Sequence, residues 1–367
     1  MIMSIAQTAR NRVKVHRLAK GWSQVELARR AGISRTGVSA IEGVRLVPSV
    51  SAALALAGAL ECPVEELFGQ RDAKARQPRW AWPATTFPRR YWQAEVAGQS
   101  LLFPLEADAP GAFRHDGVAQ SNREPAVPLA TDSRTLVLAT CDPAAGLLAE
   151  EYSRHTGFRL LVIPRSSRQA LALLAQGIVH VAGIHLATMD ARGGNADSIR
   201  RLKLDRSLSI LHVASWDEGL ALSPARNVAS IRAALSPRLH WVGREEGAGA
   251  RRCQDELLGK RSPPRRIARS HQGIVQAVKN GWADLGICQR MAAQEGGVQF
   301  LPVCREAYDL CFRSEEVDEP RIAALIGIIR SAEFRRLLAE LPGYRPQSLG
   351  QIETVEPKRG RSQHHDS

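Results

Sequence analysis

The hydrophobic and polar positions of residues 22–43 predict two short helices separated by a tight turn. The first helix has three apolar residues for one side: Val25, Leu27 and Ala28. Gly32 suits the left-handed residue that ends many helices, because glycine adopts that conformation without steric cost. Ser34 stands at the N-cap position of the second helix. The apolar face of that helix consists of Val38 and Ile41.

The second of these helices has a small, hydrogen-bonding outer face, which consists of Arg35, Thr36, Ser39 and Ala40. A helix with such a face can lie in the major groove of DNA. The alternative is a two-helix corner in an ordinary all-α protein. That alternative does not account for a polar outer face in a segment that is also strongly basic.

The flanking residues predict a five-helix domain around this pair. In a first helix over residues 8–20, we expect Val13 and Leu18 to face inward and Arg17 to face outward. A further helix is predicted over 49–60, and residues 64–68 close the small core.

The residue composition changes after this domain. Residues 69–79 are charged and contain proline, which predicts a hinge. Aromatic and β-branched residues on either side of Gly98 then predict a β-hairpin from 91–96 and 99–103. We interpret residues 71–130 as a linker and a short β-rich connector, although the hairpin could equally begin the next domain.

From Thr135 onward, buried-strand patterns alternate with helix patterns, which is typical of an α/β domain with mostly parallel sheets. The predicted strands are 135–140, 160–163, 179–186, 239–242, 283–288 and 298–304. One amphipathic helix over about 319–341 is expected to pack on last. The polar tail, 346–367, is expected to be disordered.

Several of these strands run directly into helix starts rich in small or hydroxyl residues, at 140–142, 166–167, 247–250 and 270–271. Each helix start offers free backbone N–H groups and the positive end of a helix dipole, so several together can hold an oxyanion. Ligands of α/β sheets bind at the carboxyl ends of strands. The alternative for each position is ordinary helix capping, but four of them favour a shared cleft.

Composition and charge favour a nucleic-acid partner. The chain has 367 residues, enough for two or three domains, with a net charge of +13 and a pI near 10.1. Residues 1–79 hold 13 Lys and Arg against 6 Asp and Glu, a net of +7 in the segment with the predicted helix pair.

The sequence contains no apolar run of 18 residues and no signal-peptide pattern, so we expect a soluble cytoplasmic protein without a membrane partner. Its 6 cysteines are scattered, which predicts reduced core residues rather than a zinc site. We find no pattern for a cofactor, a metal or a catalytic residue, and we expect no enzyme activity.

The stretch 8–68 resembles the phage-repressor-like helix-turn-helix family of XRE type, through Ser23-Gln24, Leu27-Ala28, 31–34, Val38, Ile41 and Glu42-Gly43. The resemblance implies that Gln24 holds a phosphate and that Ala40 touches a thymine methyl. It also implies phosphate or base contacts for Ser34, Arg35, Thr36 and Ser39. Arg45, just beyond the recognition helix, is placed for a phosphate, or is simply a solvated loop residue.

Residues 130–345 resemble the periplasmic-binding-protein-like (type II, two-lobed) domain related to molybdate-binding proteins and found behind helix-turn-helix domains. The likeness rests on 141–143, 182–186, 244–251, 270–271, 283–286 and 308–310. Gly247-Ala248-Gly249-Ala250 replaces the glycine-serine-glycine-threonine usual in that family, so two hydroxyl donors are missing. The candidate ligand-binding residues are Cys141, Asp142, Ser166, Ser167, His185, Arg244, Gly249, Ala250, Arg251, His271 and Tyr308.

Among these candidates, Asp142 is better interpreted as a helix cap, or as a partner for a ligand N–H or hydroxyl. His185 and His271 could instead be structural. Tyr308 could close the hinge rather than touch the ligand.

The sequence thus predicts a multidomain protein: residues 1–70 (helix-turn-helix), 71–130 (connector), 131–345 (ligand-binding) and 346–367 (tail). We expect a ligand-responsive transcription regulator that binds double-stranded operator DNA as a homodimer, because paired recognition helices are needed to read two half-sites. We expect the effector to be a small, anionic, molybdate-like or cofactor-like molecule, whose cleft closure changes the spacing of two DNA-binding heads. The alternatives are an enzyme that uses the same cleft, and a DNA-binding protein that needs no ligand.

Overall fold

The chain forms two compact units, Met1–Gln77 and Pro78–Ser367. The computed structural model describes residues 11–68, 78–106, 114–122, 132–189, 194–201 and 206–357, without the side chains of 65 and 66. The predicted hinge up to residue 77, the start of the first helix and the tail beyond 357 lie outside these residues.

The first unit is the expected five-helix domain. Its helices are α1 (Val13–Ala19), α2 (Gln24–Ala31), α3 (Arg35–Glu42), α4 (Val50–Leu60) and α5 (Val64–Phe68). Serine hydroxyls accept a backbone N–H at the starts of three of them, as N-caps should: Ser23, Ser34 and Ser49. Gly32 ends α2 with φ 63°, in the left-handed region that its sequence position predicts.

The inward face of α1 differs from the prediction. Leu18 is 57% exposed, whereas Arg17 is 7% exposed, and its guanidinium binds the carboxylate of Glu42 at 2.6 Å. Arg17 also donates to the backbone carbonyl of Trp22. The buried Arg17 therefore joins α1 to the end of α3 through an ion pair. A hydrophobicity pattern would place an apolar residue at such a buried position. Val25, expected on the apolar side of α2, is 57% exposed.

The second unit begins with a small sheet in the order β1-β3-β2-β4. Its strands are β1 (Arg79–Trp80), β2 (Arg89–Val96), β3 (Gln99–Pro104) and β4 (Gly117–Ala119). The β2–β3 hairpin turns at Ala97 and Gly98, which both have positive φ, as predicted. Ala94, Val96 and Phe103 share a hydrophobic core with the strands that follow, so this sheet begins the next domain instead of connecting two domains.

The remaining elements alternate as expected for an α/β domain. One group comprises β5 (Thr135–Thr140), α6 (Ala145–Thr156), β6 (Arg159–Pro164), α7 (Ser167–Ala175), β7 (Val181–Ile184), α8 (Gly194–Arg201) and β8 (Leu208–Leu222). The next comprises α9 (Ile231–Ala234), β9 (Trp241–Arg244), α10 (Gly249–Leu258), β10 (Arg266–Ala268), α11 (His271–Lys279), β11 (Leu285–Gln289), α12 (Arg290–Glu295) and β12 (Gln299–Arg313). The last comprises α13 (Pro320–Arg330), α14 (Ala332–Glu340), β13 (Tyr344–Arg345) and β14 (Ile352–Val355).

These strands form one mixed sheet in the order β10-β9-β11-β8-β12-β7-β5-β6. The two ends of the sheet are parallel, as predicted, and we call them lobe I (β5, β6 and β7) and lobe II (β9, β10 and β11). The long strands β8 and β12 pair antiparallel with each other along 15-residue lengths and belong to both lobes. The prediction of mostly parallel sheets missed this antiparallel centre, because β8 falls in a stretch to which we assigned no element.

Two expectations about the C-terminal region are wrong. The single helix over 319–341 is two helices, because Ser331 is extended and its hydroxyl caps α14. The tail is ordered as far as β14, whose residues pair antiparallel with the start of β8. No helix among the described residues is long and apolar enough to cross a membrane.

Candidate functional site

The outer face of α3 presents the residues that the sequence predicts for DNA contact. Arg35 and Thr36 are exposed, and Ser39 and Ala40 are half-buried. The Ser34 hydroxyl accepts the backbone N–H of Gly37 at 3.0 Å and lies 3.0 Å from the Thr36 hydroxyl. The geometry therefore gives Ser34 a structural capping role and leaves Arg35 and Thr36 as the most accessible side chains at the start of the helix.

The two flanking candidates differ in their freedom. Gln24 is half-buried, and its side-chain amide donates to the Glu42 carboxylate at 2.9 Å. A phosphate contact by Gln24 would therefore have to share or replace this bond. Arg45 is exposed in the loop after α3, as a side chain that contacts a phosphate must be.

In the second unit, the ends of the lobe I strands bring three predicted ligand residues together. Cys141 follows β5, His185 follows β7, and Ser167 begins α7. The backbone N–H of His185 donates to the Ser167 hydroxyl at 3.1 Å, which fixes one helix start against the next strand end. Ser166 is the N-cap of α7 and is buried.

Lobe II closes directly onto this group. A Cβ atom added at Gly249 would overlap the carbonyl oxygen and ring of His185, so the start of α10 lies in contact with lobe I. The backbone N–H of Arg168 donates to the carbonyl of Gly247 at 3.3 Å, which joins the starts of α7 and α10. Two of the helix starts predicted to converge therefore meet. Gly249 keeps the glycine of the family pattern, and a side chain at this position would not fit.

His185 is the centre of the buried polar cluster between the lobes. Its Nε2 lies 3.0 Å from the Cys141 sulfur, and its Nδ1 lies 2.6 Å from Oε2 of Glu306 on β12. Burial opposes a charge on this ring, but the neighbouring Cys141 and Glu306 outweigh burial and raise the pKa of His185 well above its usual value. Glu306 also accepts from Arg252 of α10 at 2.9 Å, so this carboxylate links the two lobes.

His271 is a neutral hydrogen-bond donor in the same cluster. The backbone N–H of Gln289 donates to its Nδ1 at 3.1 Å, so the ring proton resides on Nε2. Burial lowers the pKa of His271 well below its usual value, and the positive charges of Arg244 and His185 add to this effect. The Nε2–H group is buried and has no hydrogen-bond partner among the described residues.

Among the other buried donors without partners in the described part of the chain are Nη1 of Arg244 and Nε1 of Trp216. Arg244 is completely buried, and its other nitrogens donate to the Glu245 carboxylate at 3.0 Å. The Trp216 ring lies 5.0 Å from that of His185. Unpaired buried donors are costly, so the cluster is suited to a ligand that accepts hydrogen bonds.

Glu218 is the acidic member of the cluster. Both carboxylate oxygens are buried without hydrogen-bond partners among the described residues. Burial raises the pKa of Glu218 well above its usual value, and the nearby charge of Glu306 raises it further. A protonated Glu218 adds a hydroxyl donor and removes a negative charge that would repel an anion.

Asp142 and Tyr308 hold the edge of the site. The Asp142 carboxylate accepts from the backbone N–H of Ala144 at 3.0 Å and from the Tyr344 hydroxyl, so Asp142 stabilises the turn before α6, whose N-cap is Ala144. Burial raises the pKa of Asp142 to about 6, against the opposing effect of these bonds. Tyr308 is stacked on Trp216 at 4.7 Å, and its hydroxyl lies 3.0 Å from the Thr140 hydroxyl.

Other predicted residues lie outside the polar cluster. Arg251 binds Asp255 on its own helix at 2.8 Å, so its charge is already paired. Ala250 is buried in the hydrophobic core of lobe II. Four members of the cluster were missed by sequence reasoning: Trp216, Glu218, Arg252 and Glu306. Trp216, Glu218 and Glu306 lie in the long strands β8 and β12, and their neighbours in the sequence do not mark them as site residues. Only the pairing of β8 with β12 brings these three residues to the cleft.

Within the interlobe cluster, two sets of side chains have possible metal-ligand atoms within 4.8 Å of one another: Cys141, His185 and His271, and His185, Glu218 and Glu306. A metal needs a lone pair from each ligand. In the first set, Nε2 of His271 carries a proton and Nε2 of His185 is bonded to Cys141. In the second set, Nδ1 of His185 is bonded to Glu306. In this structure these residues form a hydrogen-bond network.

A separate cavity of about 440 Å³ lies beside β8 and α8. None of the predicted ligand residues lines it, although Ala307 and Asp309, on either side of Tyr308, do. Its main polar groups bind each other. Asp309 accepts from Asn195 at 2.7 Å and pairs with His212 at 2.8 Å. The interlobe cluster is the stronger candidate, because its buried donors lack such partners.

Comparisons with known proteins agree with this architecture. Residues 10–67 match a family described as a helix-turn-helix domain, and residues 149–330 match a PBP superfamily domain. The chain is 25% identical over 197 residues to the uncharacterized protein YvgK of Bacillus subtilis strain 168, covering 51% of this chain and 63% of that relative, less than two thirds of its length.

Two further similarities are shorter or more distant. An uncharacterized protein from the 5′ region of a ferredoxin 2Fe-2S gene of Clostridium pasteurianum is 34% identical over 86 residues, covering 23% of this chain and 76% of that protein. The tungstate ABC transporter structure from Geobacter sulfurreducens is similar with a TM-score of 0.45 and 12% identity, over 56% of this chain and 98% of that chain.

Proposed function

Because this chain carries a helix-turn-helix domain and a PBP superfamily domain, we propose that it is a ligand-responsive transcription regulator. The N-terminal domain binds operator DNA, and a small molecule bound between lobes I and II changes that DNA affinity. This division assigns a binding function, rather than an enzyme activity, to the interlobe cleft. A DNA-binding role also places the protein in the cytoplasm.

The observation that carries the ligand proposal is that three buried donors at the cleft, on Arg244, His271 and Trp216, are among those without partners in the described residues. An oxyanion accepts hydrogen bonds on all sides and would satisfy all three. The starts of α7 and α10 add helix dipoles of the matching sign. Arg244 shares its charge with Glu245, so a small anion held mainly by neutral donors fits best. A molybdate- or tungstate-sized oxyanion meets this description.

We assign the N-terminal domain to the XRE type on the in-register match through Gln24, the turn at Gly32 and the end of α3. We further propose that the protein acts as a homodimer, because one recognition helix reads few base pairs and two half-sites supply useful affinity. Analytical ultracentrifugation of the full chain with and without operator DNA tests this proposal, and a single DNA-bound monomer would contradict it.

A thermal-shift screen of the full chain tests the ligand proposal. The probes are molybdate, tungstate, sulfate and phosphate, with sodium chloride at matched ionic strength as the control. A ligand at a hundredfold excess over its Kd stabilises the native state by about 2.7 kcal/mol. We expect at least one oxyanion to raise the melting temperature, and this gain to be lost in His271→Phe, which removes the Nε2 donor and keeps a ring.

The second candidate function is DNA binding without a ligand. It is favoured by the missing hydroxyl donors at Ala248 and Ala250. The two functions differ in one measurement, the affinity for operator DNA with and without the oxyanion that gives a thermal shift. An unchanged DNA affinity at saturating oxyanion would favour ligand-independent binding.

A further inference from the structure

Cys141, His185 and Glu306 form a hydrogen-bonded series in the interlobe cluster. The Cys141 sulfur lies 3.0 Å from Nε2 of His185, and Nδ1 of the same ring lies 2.6 Å from the Glu306 carboxylate. Arg252 holds the second oxygen of that carboxylate at 2.9 Å. A thiol, an imidazole and an orienting carboxylate in this order are the arrangement that activates a cysteine, because the imidazole takes the thiol proton.

The groups around Cys141, His185 and Glu306 are suited to a reagent that enters the cleft. His271, with 0% exposure, has a ring nitrogen within 4.8 Å of the Cys141 sulfur and the His185 ring, and its Nε2–H has no partner among the described residues. Glu218 and Asp142 are charged or titratable groups near His185, and Arg244 and Tyr308 are near the Cys141 sulfur. Arg244 supplies a positive charge near the sulfur, which also favours a thiolate.

We infer that Cys141 is a nucleophile with His185 as its base, and that it is the site at which a small hydroperoxide modifies this protein. Cys141 is half-buried, so small reagents can reach its sulfur, and Gly249 at the start of α10 packs against the neighbouring His185 ring. Hydrogen peroxide, with two oxygen and two hydrogen atoms, is the smallest hydroperoxide.

The reaction balances with groups that are present. The thiolate sulfur attacks one peroxide oxygen, so that an S–O bond forms and the O–O bond breaks. The leaving hydroxide takes the proton from Nε2 of His185 and becomes water. Cys141 is oxidised by two electrons to a sulfenic acid, and the peroxide is reduced by two electrons. The Nε2–H of His271 is available to donate to the new oxygen.

The other cysteines have no comparable setting among the described residues. Burial raises the pKa of Cys288 and of Cys311 well above the usual value, which disfavours their thiolates. Cys253 and Cys304 lie 3.7 Å apart, with sulfur next to sulfur instead of imidazole. Half-buried Cys62 belongs to the N-terminal domain, and its rate is measured in the same sample for comparison.

The test measures reaction rates at individual cysteines of the reduced full chain by mass spectrometry. Iodoacetamide alkylation is followed from pH 5.5 to 9, and peroxide oxidation is followed by trapping sulfenic acid with dimedone. An ordinary thiol with a pKa of about 8.5 is less than roughly 1% thiolate at pH 6. We therefore expect Cys141 to be alkylated at least tenfold faster than Cys62 at pH 6, and to carry the dimedone label.

Three variants separate activation from structural damage. His185→Gln removes the proton acceptor, and Glu306→Gln keeps the side-chain shape and removes the orienting charge. Both should slow Cys141 alkylation at pH 6 by tenfold or more and give it the pH dependence of an ordinary thiol. The matched control is His212→Gln, which breaks a His–Asp pair elsewhere in the same domain and should leave the Cys141 rate unchanged.

The inference is overturned if Cys141 reacts no faster than Cys62 at pH 6, or if the rate is unaffected in both His185→Gln and Glu306→Gln. Peroxide-dependent labelling at cysteines other than Cys141 would also overturn it. None of these measurements uses DNA or an oxyanion, so their outcome is independent of the proposed regulatory function.

Discussion

At the scale of single residues, the N-terminal domain divides its polar side chains between structure and recognition. Ser34 and Gln24 are engaged within the domain, by Gly37 and Glu42, whereas Arg35 and Thr36 are exposed at the start of α3. Exposed polar side chains at the start of a recognition helix are those that reach base edges. The exposed Arg35 and Thr36 are therefore the residues on which sequence-specific binding should depend.

We predict that Arg35→Ala and Thr36→Ala each weaken binding to operator DNA by about 1–3 kcal/mol, with a smaller effect on random DNA, because good base contacts discriminate by that amount. Fluorescence anisotropy at two salt concentrations measures both affinities. The charge-matched control is Arg154→Ala, at an exposed site on α6. Equal losses on operator and random DNA would show that these residues touch only phosphates.

Asp142 links the candidate site to pH. Burial raises its folded-state pKa to about 6, above that of an unfolded carboxyl group. The carboxyl therefore favours the folded state at low pH, and this contribution is lost as the pH rises through about 6.

We predict that Asp142→Asn is more stable than the natural protein at pH 7.5, by about 1–3 kcal/mol for a shift of roughly two pKa units, and that the gain disappears near pH 4. The amide keeps an oxygen for the N–H of Ala144. Scanning calorimetry at both pH values measures the difference, with the exposed Asp255→Asn as control. A gain of equal size at both pH values would rule out ionisation of Asp142 as the cause.

At the scale of elements, the two lobes are in direct contact where the starts of α7 and α10 pack against each other and against the end of β7. Glycine at position 249 permits this contact, because any side chain would overlap His185. Glu306 on β12 bridges His185 of lobe I and Arg252 of lobe II. The closed arrangement thus depends on one small residue and one shared carboxylate.

We predict that Gly249→Ala keeps the lobes from closing. Small-angle scattering of the full chain should show a larger radius of gyration, and the thermal shift by an oxyanion should disappear. The control is Gly146→Ala on α6, where an added Cβ meets nothing within 4 Å and should be neutral or slightly stabilising. Unchanged scattering and unchanged oxyanion stabilisation in Gly249→Ala would contradict a role for this contact in closure.

At the scale of the whole molecule, the boundary of the second unit is set by strand pairing. The hairpin at its start packs into the lobe I core, and β14 near its end pairs with β8. Val355 of β14 is 3% exposed. A fragment that is to fold alone must therefore include both segments.

We predict that residues 78–357 form a stable fragment that does not bind DNA, whereas residues 78–345 have a clearly lower melting temperature because β8 loses its β14 neighbour. Circular dichroism and a gel-shift assay with operator DNA measure these properties. Equal melting temperatures would show that β14 adds no stability. A shift of DNA by the longer fragment would contradict the division of function between the units.

The local features of this protein could be predicted from its sequence. A left-handed glycine at position 32, a capping hydroxyl at 34 and a hairpin turn at 97–98 each depend on the steric and hydrogen-bonding properties of a few adjacent residues. The alternation of strands and helices from residue 135 is equally local, since its period follows from which faces are buried. The convergence of Cys141, Ser167 and His185 was also predictable, because parallel strands end at one edge of a sheet.

The tertiary structure alone decided the contents of the cleft. Trp216, Glu218 and Glu306 lie in long strands whose sequence does not show that β8 and β12 pair across both lobes, a contact between residues far apart in the chain. Arg17 is buried because Glu42 supplies an ion-pair partner from another helix, which overrides the hydrophobicity pattern of α1. Likewise, which nitrogen of His271 faces the cleft depends on the backbone of Gln289. Such pairings depend on the three-dimensional neighbours of a side chain, and those neighbours are set by the packing of distant elements.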